Sequence, residues 1–164
     1  MKKLDSYIFP INTIVCALTL CAIVLTMTIL GWKPCPMCLL QQFSVLCIFI
    51  LSILGWIKKS PRTFSLIIRI IIIAIIIMGL YIAADQVHLQ YFTNAPTTTN
   101  IGSCGGIDNP FLLDVTKSVT GSVESCSEIS EQISGYSLAV YSLIFFICLL
   151  MVNCIGFFIK IFKK

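Results

Sequence analysis

Four uninterrupted apolar runs, at about Ile8 to Leu30, Cys38 to Ile57, Phe64 to Ala84 and Leu138 to Ile159, constrain this chain more than any other feature. A helix needs about 20 apolar residues to cross the hydrocarbon core of a bilayer, and each run is of that order. Between them lie two short connections, residues 31–37 and 58–63, and one long polar stretch, residues 85–137. With 58% hydrophobic and only 11% charged residues, a water-soluble globule is excluded. The expected fold is an all-α membrane protein, a four-transmembrane-helix bundle forming a single domain over residues 1–164, embedded in a lipid bilayer. Lys2 and Lys3 precede the first run in the manner of a secretory signal, but its apolar core exceeds ~7–15 residues and no small-residue cleavage site follows. It is expected to be retained.

An even number of spans brings both termini to one side, and the side rich in Lys and Arg is expected to be cytoplasmic. Lys2, Lys3, Lys58, Lys59, Arg62, Lys160, Lys163 and Lys164 fall there, against Lys33 and Lys117 on the other side. The net charge of +4 is therefore a topology signal and makes no case for nucleic acid. Six of the seven acidic residues (Asp85, Asp108, Asp114, Glu124, Glu128, Glu131) lie in or beside the long outer loop. Arg69 falls inside the third run, because residues 70–84 alone are too short to span. The expectation is a side chain that snorkels to the cytoplasmic headgroups, the alternative being an ion pair or ligand contact inside the bundle.

This topology sorts the nine cysteines. Cys16, Cys21, Cys47, Cys148 and Cys154 lie within spans, where a thiol acts as a small hydrophobe. Cys35, Cys38, Cys104 and Cys126 lie on the outer side or at its membrane boundary, a compartment that permits disulfides. Cys35-Pro36-Met37-Cys38 is a C-x-x-C at the mouth of the second span, and a cysteine at a helix N-terminus is favoured as thiolate, Cys38 being best placed for this. A redox pair, a static disulfide and half of a metal site all remain open; for the last, no second C-x-x-C or nearby histidine completes four ligands, since His88 is the sole histidine. Cys104 and Cys126 flank 21 residues of Ser/Thr/Gly-rich loop. They read either as a staple worth about 3 kcal/mol or as an exchangeable pair, Gly102, Gly105 and Gly106 leaving Cys104 open to an incoming thiolate. Phe111, Leu112, Val115 and Val119 recur at helical spacing, so a short amphipathic helix is expected to rest on the outer leaflet.

Gln41 and Gln42 follow Cys38 by one turn. Amides facing lipid are costly, so both are expected to face the bundle interior, either joining helices or lining a pocket for a membrane-soluble ligand. His88, closing the third span, is an interfacial histidine or a site residue.

The segment Gly31-Trp-Lys-Pro-Cys-Pro-Met-Cys-Leu-Leu-Gln-Gln42 at the entry to the second of four spans, with a second cysteine pair in the last outer loop, resembles the DsbB family of disulfide bond formation proteins. The resemblance implies a quinone-dependent thiol oxidase of the bacterial inner membrane. In it, Cys104 forms a mixed disulfide with a reduced periplasmic thioredoxin-like oxidant, DsbA, and Cys126 resolves it. Electrons pass to Cys35/Cys38, and Cys38 delivers them to a quinone (ubiquinone or menaquinone) that leaves as quinol. Gln41, Gln42 and His88 are the expected quinone neighbours beside Cys38. Two departures stand out. The family commonly has Arg four residues after the second motif cysteine, where this chain has Gln42, which can donate a hydrogen bond but supplies no charge. The family's His-x-x-Leu-Gln segment reads Gln86-Val-His88-Leu-Gln90, with the histidine displaced by two. The competing readings are a non-catalytic four-span protein with structural outer-loop disulfides, and a vitamin-K-epoxide-reductase-like enzyme, in which the C-x-x-C is expected late in the bundle.

Overall fold

The computed structural model describes residues 2–31, 34–57, 62–92, 114–115, 117–118, 132–133 and 135–162. Four long helices dominate: α1 (Lys2–Ile29), α2 (Pro36–Ile57), α3 (Arg62–Tyr91) and α4 (Leu138–Phe162). All four are long and apolar enough to cross a membrane. Helix α1 packs on α2, α2 on α3 and α3 on α4, while α1 and α4 touch more lightly to close the bundle. Only 39% of the most apolar window of α3, and 22% of that of α4, is buried against protein. The remaining surface, including Ile29, Phe43, Ile57, Tyr81 and Ile144, points outward and is apolar, as lipid requires and water would not tolerate.

Since lipid gives helices no hydrophobic reason to associate, the contacts between them depend on close packing and buried hydrogen bonds. Helix α3 presents Ile68, Ile72, Ile76 and Ala83 to Val45 and Ile48 of α2 and to Phe146 and Leu149 of α4, and Phe9 and Cys16 of α1 complete this core. Glycine makes two of the closest approaches possible: a Cβ on Gly79 would lie 2.6 Å from the Phe146 ring, and one on Gly55 2.6 Å from the Phe9 ring. Threonines within α1 satisfy their hydroxyls on their own helix, Thr13 donating to the Phe9 carbonyl and Thr19 to that of Val15, both at 2.9 Å. Asn12 and Asn153 exchange side-chain hydrogen bonds of 2.8 and 3.2 Å, joining α1 to α4 where no water competes.

Two features depart from the sequence expectations. Arg69 does not snorkel: it is 2% exposed, its guanidinium lying 5.1 Å from the centre of the Phe9 ring. The space it occupies exists because α4 carries Gly156, whose Cβ would stand 2.7 Å from Arg69 Nη1. A cation over an aromatic face, packed among helices, keeps part of its electrostatic solvation without reaching the headgroups. The third helix also runs on to Tyr91, seven residues beyond the expected end at Ala84, which adds about 10 Å at 1.5 Å per residue. After the long loop, strands β1 (Gln132–Ile133) and β2 (Tyr136–Ser137) form an antiparallel hairpin leading into α4. Gly135 takes the left-handed φ of 85° that its two-residue turn needs. The Tyr91 hydroxyl accepts the Ser137 N–H at 3.3 Å, tying the hairpin to the end of α3.

Candidate functional site

The local sequence makes Cys35 the cap of α2. Helix α1 ends with Gly31 at φ 66°, the left-handed conformation in which helices commonly stop. Pro36 disfavours helical geometry in the residue before it and suits the first helical position, where no N–H is needed. Cys35 therefore stays outside the helix while its carbonyl accepts the Leu39 N–H at 3.0 Å. Its Sγ accepts the Cys38 N–H at 3.3 Å, as a capping side chain does. Three residues later, Cys38 turns back to the same place, and the two free thiols stand 2.8 Å apart. Met37, Ile82, Leu40 and Leu89 surround them with apolar contacts. The hydrogen bond with the Cys38 sulfur, then burial, then the nearness of a second ionisable sulfur all push the Cys35 thiol above the ordinary thiol range. Stripping both protons would place two negative sulfurs in contact, so Cys35 retains its own.

From the extended end of α3, the buried Gln86 reaches both sulfurs. Its Nε2 donates to Cys35 Sγ at 3.3 Å and to Cys38 Sγ at 3.2 Å. Its Oε1 accepts a 2.8 Å hydrogen bond from Nε2 of Gln41 on α2. With its oxygen engaged by an amide donor, the Gln86 side chain presents its NH₂ group to the thiols. The site is thus a dithiol at a helix N-terminus, closed by two uncharged amides from α2 and α3.

The expected site residues divide accordingly. Cys35, Cys38 and Gln41 are brought together. Gln42, one position further round α2, is half-buried and does not share the Gln41 face; successive helical residues point about 100° apart. His88 lies on the exposed side of α3, stacked on Phe92 with ring centres 5.6 Å apart. Cys104 and Cys126 lie outside the described residues, as do Phe111, Leu112 and Val119. Of the expected amphipathic helix, Asp114, Val115, Lys117 and Ser118 are helical, the Ser118 hydroxyl donating to the Val115 carbonyl at 2.8 Å. Gln86 is the residue sequence reasoning overlooked. A signal for it exists: the buried stripe Ile68, Ile72, Ile76, Gly79, Ala83 of α3, continued by one more step of three, falls on Gln86 and not on His88.

A dithiol at the mouth of a four-helix membrane bundle defines a membrane protein of thiol–disulfide chemistry. Residues 6–156 match the family described as Disulfide bond formation protein DsbB, and the chain belongs to that family. Among its relatives, Disulfide bond formation protein B of Chromohalobacter salexigens is 26% identical over 148 residues, covering 87% of this chain and 84% of that protein. Disulfide bond formation protein B of Marinobacter nauticus is 24% identical over 153 residues, covering 90% and 88%. Disulfide bond formation protein B 1 of Pseudomonas fluorescens Pf0-1 is 26% identical over 125 residues, covering 73% and 69%.

Proposed function

We propose that this protein re-oxidises a periplasmic thioredoxin-like dithiol partner of the DsbA type and passes the electrons to a quinone of the inner membrane, with both termini in the cytoplasm. The observation that carries the reading is the Cys35/Cys38 dithiol at the N-terminus of α2, at the membrane boundary and held against α3 by Gln86. In the first exchange, Cys104 of the Cys104/Cys126 disulfide is attacked by a partner thiolate, giving a mixed disulfide and a free Cys126 thiolate. The second partner thiol then displaces Cys104, so the partner leaves oxidised and the loop pair reduced. The loop dithiol reduces the Cys35–Cys38 disulfide by the same two displacements, two electrons moving inward.

The quinone supplies the final two-electron sink, taking up two protons and leaving as quinol. The residues around Cys38 suit such a group: Leu40 and Leu89 offer apolar contact to a flat ring, and the half-buried Gln42 offers an N–H donor for a carbonyl. Gln41, whose amide is engaged with Gln86, acts from behind the thiols. Cys38 delivers the electrons, and Cys35 releases the proton it holds in the reduced pair as it re-forms the disulfide with Cys38.

The test is reconstitution in lipid with a reduced DsbA-like partner and ubiquinone or menaquinone. One quinol should form per partner disulfide, Cys104→Ser should abolish partner oxidation, and Cys38→Ser should abolish quinone reduction. No turnover with either quinone would refute the proposal.

A further inference from the structure

The sulfurs of the Cys35/Cys38 pair are met by an amide where a cation would be the usual partner of a thiolate. Gln86 and Gln41 are 2% and 4% exposed, so no solvent stands in for them. Asp85 and His88 flank Gln86 along α3, but among the described residues the groups in contact with the two sulfurs are the Gln86 amide, the Cys38 N–H and apolar side chains.

We propose that Gln86 is a catalytic residue that sets the electron affinity of the Cys35/Cys38 pair, its amide bonding the reduced sulfur more strongly than the disulfide, and that Gln41 is the positioning residue that keeps the NH₂ side of Gln86 turned to the sulfurs. This deepens the proposed thiol oxidation and rests on it. Reduction breaks the Cys35–Cys38 bond, adds two electrons and one proton, and leaves a Cys35 thiol and a Cys38 thiolate. A disulfide sulfur is a feeble acceptor, whereas a thiolate accepts a charge-assisted hydrogen bond of roughly twice the strength of a neutral one. Gln86 therefore favours the reduced pair, and favouring the reduced form makes a disulfide more oxidising. An inverted amide would aim its carbonyl oxygen at the thiolate and act the other way. The 2.8 Å hydrogen bond from Gln41 prevents that inversion. The Cys35 thiol, held above its ordinary range by its neighbours, is consistent with a pair that keeps one proton.

The test uses the full chain in lipid, equilibrated in dithiothreitol and glutathione redox buffers, quenched with acid and alkylated. The reduced fraction is read on the Cys35/Cys38 peptide, and a melting curve is recorded for each variant. Gln86→Leu should shift the equilibrium constant tenfold or more towards the disulfide, about 30 mV for a two-electron couple. Gln41→Glu, whose carboxylate attracts the Gln86 NH₂ away from the sulfurs, should shift it the same way, and Gln41→Leu should do so more weakly. An unmoved constant in Gln86→Leu, or in Gln41→Glu if Gln86→Leu does not fold, overturns the proposal; so does a lowered melting temperature with an unmoved constant. If the wild-type pair cannot be cycled at any buffer composition, the underlying thiol oxidation itself fails.

Discussion

At the Cys35 end of the bundle, Gln41 and Gln86 bury two amides that point into each other and then at a pair of sulfurs. In the half nearer the chain termini, Asn12 and Asn153 bury two amides that point only into each other and, through Asn153 Nδ2, at the Leu149 carbonyl 2.8 Å away. Both are polar pairs inside an apolar bundle, and each links two helices. They differ in what lies beyond the pair. The asparagines face groups whose charge never changes, so their hydrogen bonds contribute only to helix association. On the proposed function the glutamines face atoms that gain and lose electrons, which makes the same type of contact part of the proposed chemistry. Burial of a polar side chain in a membrane bundle is therefore not by itself a sign of function; the sign is a donor aimed at a group that titrates or reacts.

Removing a sulfur tests this contrast most severely. Cys38→Ser should eliminate quinone reduction while leaving the bundle folded, because a hydroxyl can replace the thiol sterically but cannot form the disulfide; residual quinone turnover in this variant would detach the chemistry from the site. Next in size is overpacking at the other end. In Gly156→Val the new side chain meets Ile8 and Arg69, and a cost of about 1–3 kcal/mol is expected, read as a lower melting temperature in lipid with the redox equilibrium of Cys35/Cys38 unchanged. Asn153→Leu should cost about 0.6–2 kcal/mol with the same indifference of the redox equilibrium, and a shifted equilibrium in either variant would erase the distinction between the two ends.

The raised Cys35 thiol gives a pH signature. In the reduced protein, iodoacetamide should leave Cys35 unlabelled through the ordinary thiol range near pH 9, labelling rising only in more alkaline solution. The sign for stability follows from the same shift: the folded, reduced protein holds this proton more tightly than the unfolded chain. That contribution is complete below the ordinary thiol pKa and declines as the pH climbs above it. Rapid Cys35 alkylation at neutral pH would contradict the geometry. The smallest effect is expected at Gln42. Gln42→Arg should tighten quinone binding by a small factor, because Arg keeps an N–H donor at this position and adds positive charge, and an unchanged quinone titration would remove Gln42 from the quinone site.

The four spans and the C-x-x-C at a helix entry were legible in the sequence because they rest on run length and on proline, which act locally. Cys35 as a cap follows from Pro36 alone. What depends on neighbouring helices was harder to read. Gln41 and Gln42 look equivalent along the chain, and only the packing of α2 on α3 separates the buried amide from the half-buried one. Hydropathy placed the end of α3 at Ala84 because Asp85, Gln86 and His88 are polar, yet the helix continues and uses Gln86 inward. His88 enters as a site residue only through the family's His-x-x-Leu-Gln segment, whereas the buried helical stripe falls on Gln86. Arg69 was expected at the headgroups because the space beside Gly156 belongs to a helix nearly ninety residues away. The Cys104/Cys126 pair lies outside the described residues, and its role is part of the proposal.

The most direct measurement of the central claim is the thiol state of the Cys35/Cys38 peptide in living cells, trapped with acid and alkylated before and after the quinone supply is withdrawn. The account predicts that the pair passes from mainly disulfide to mainly dithiol when quinone is depleted and returns when it is restored. A pair that stays fully oxidised throughout would mark a static bridge and contradict the account.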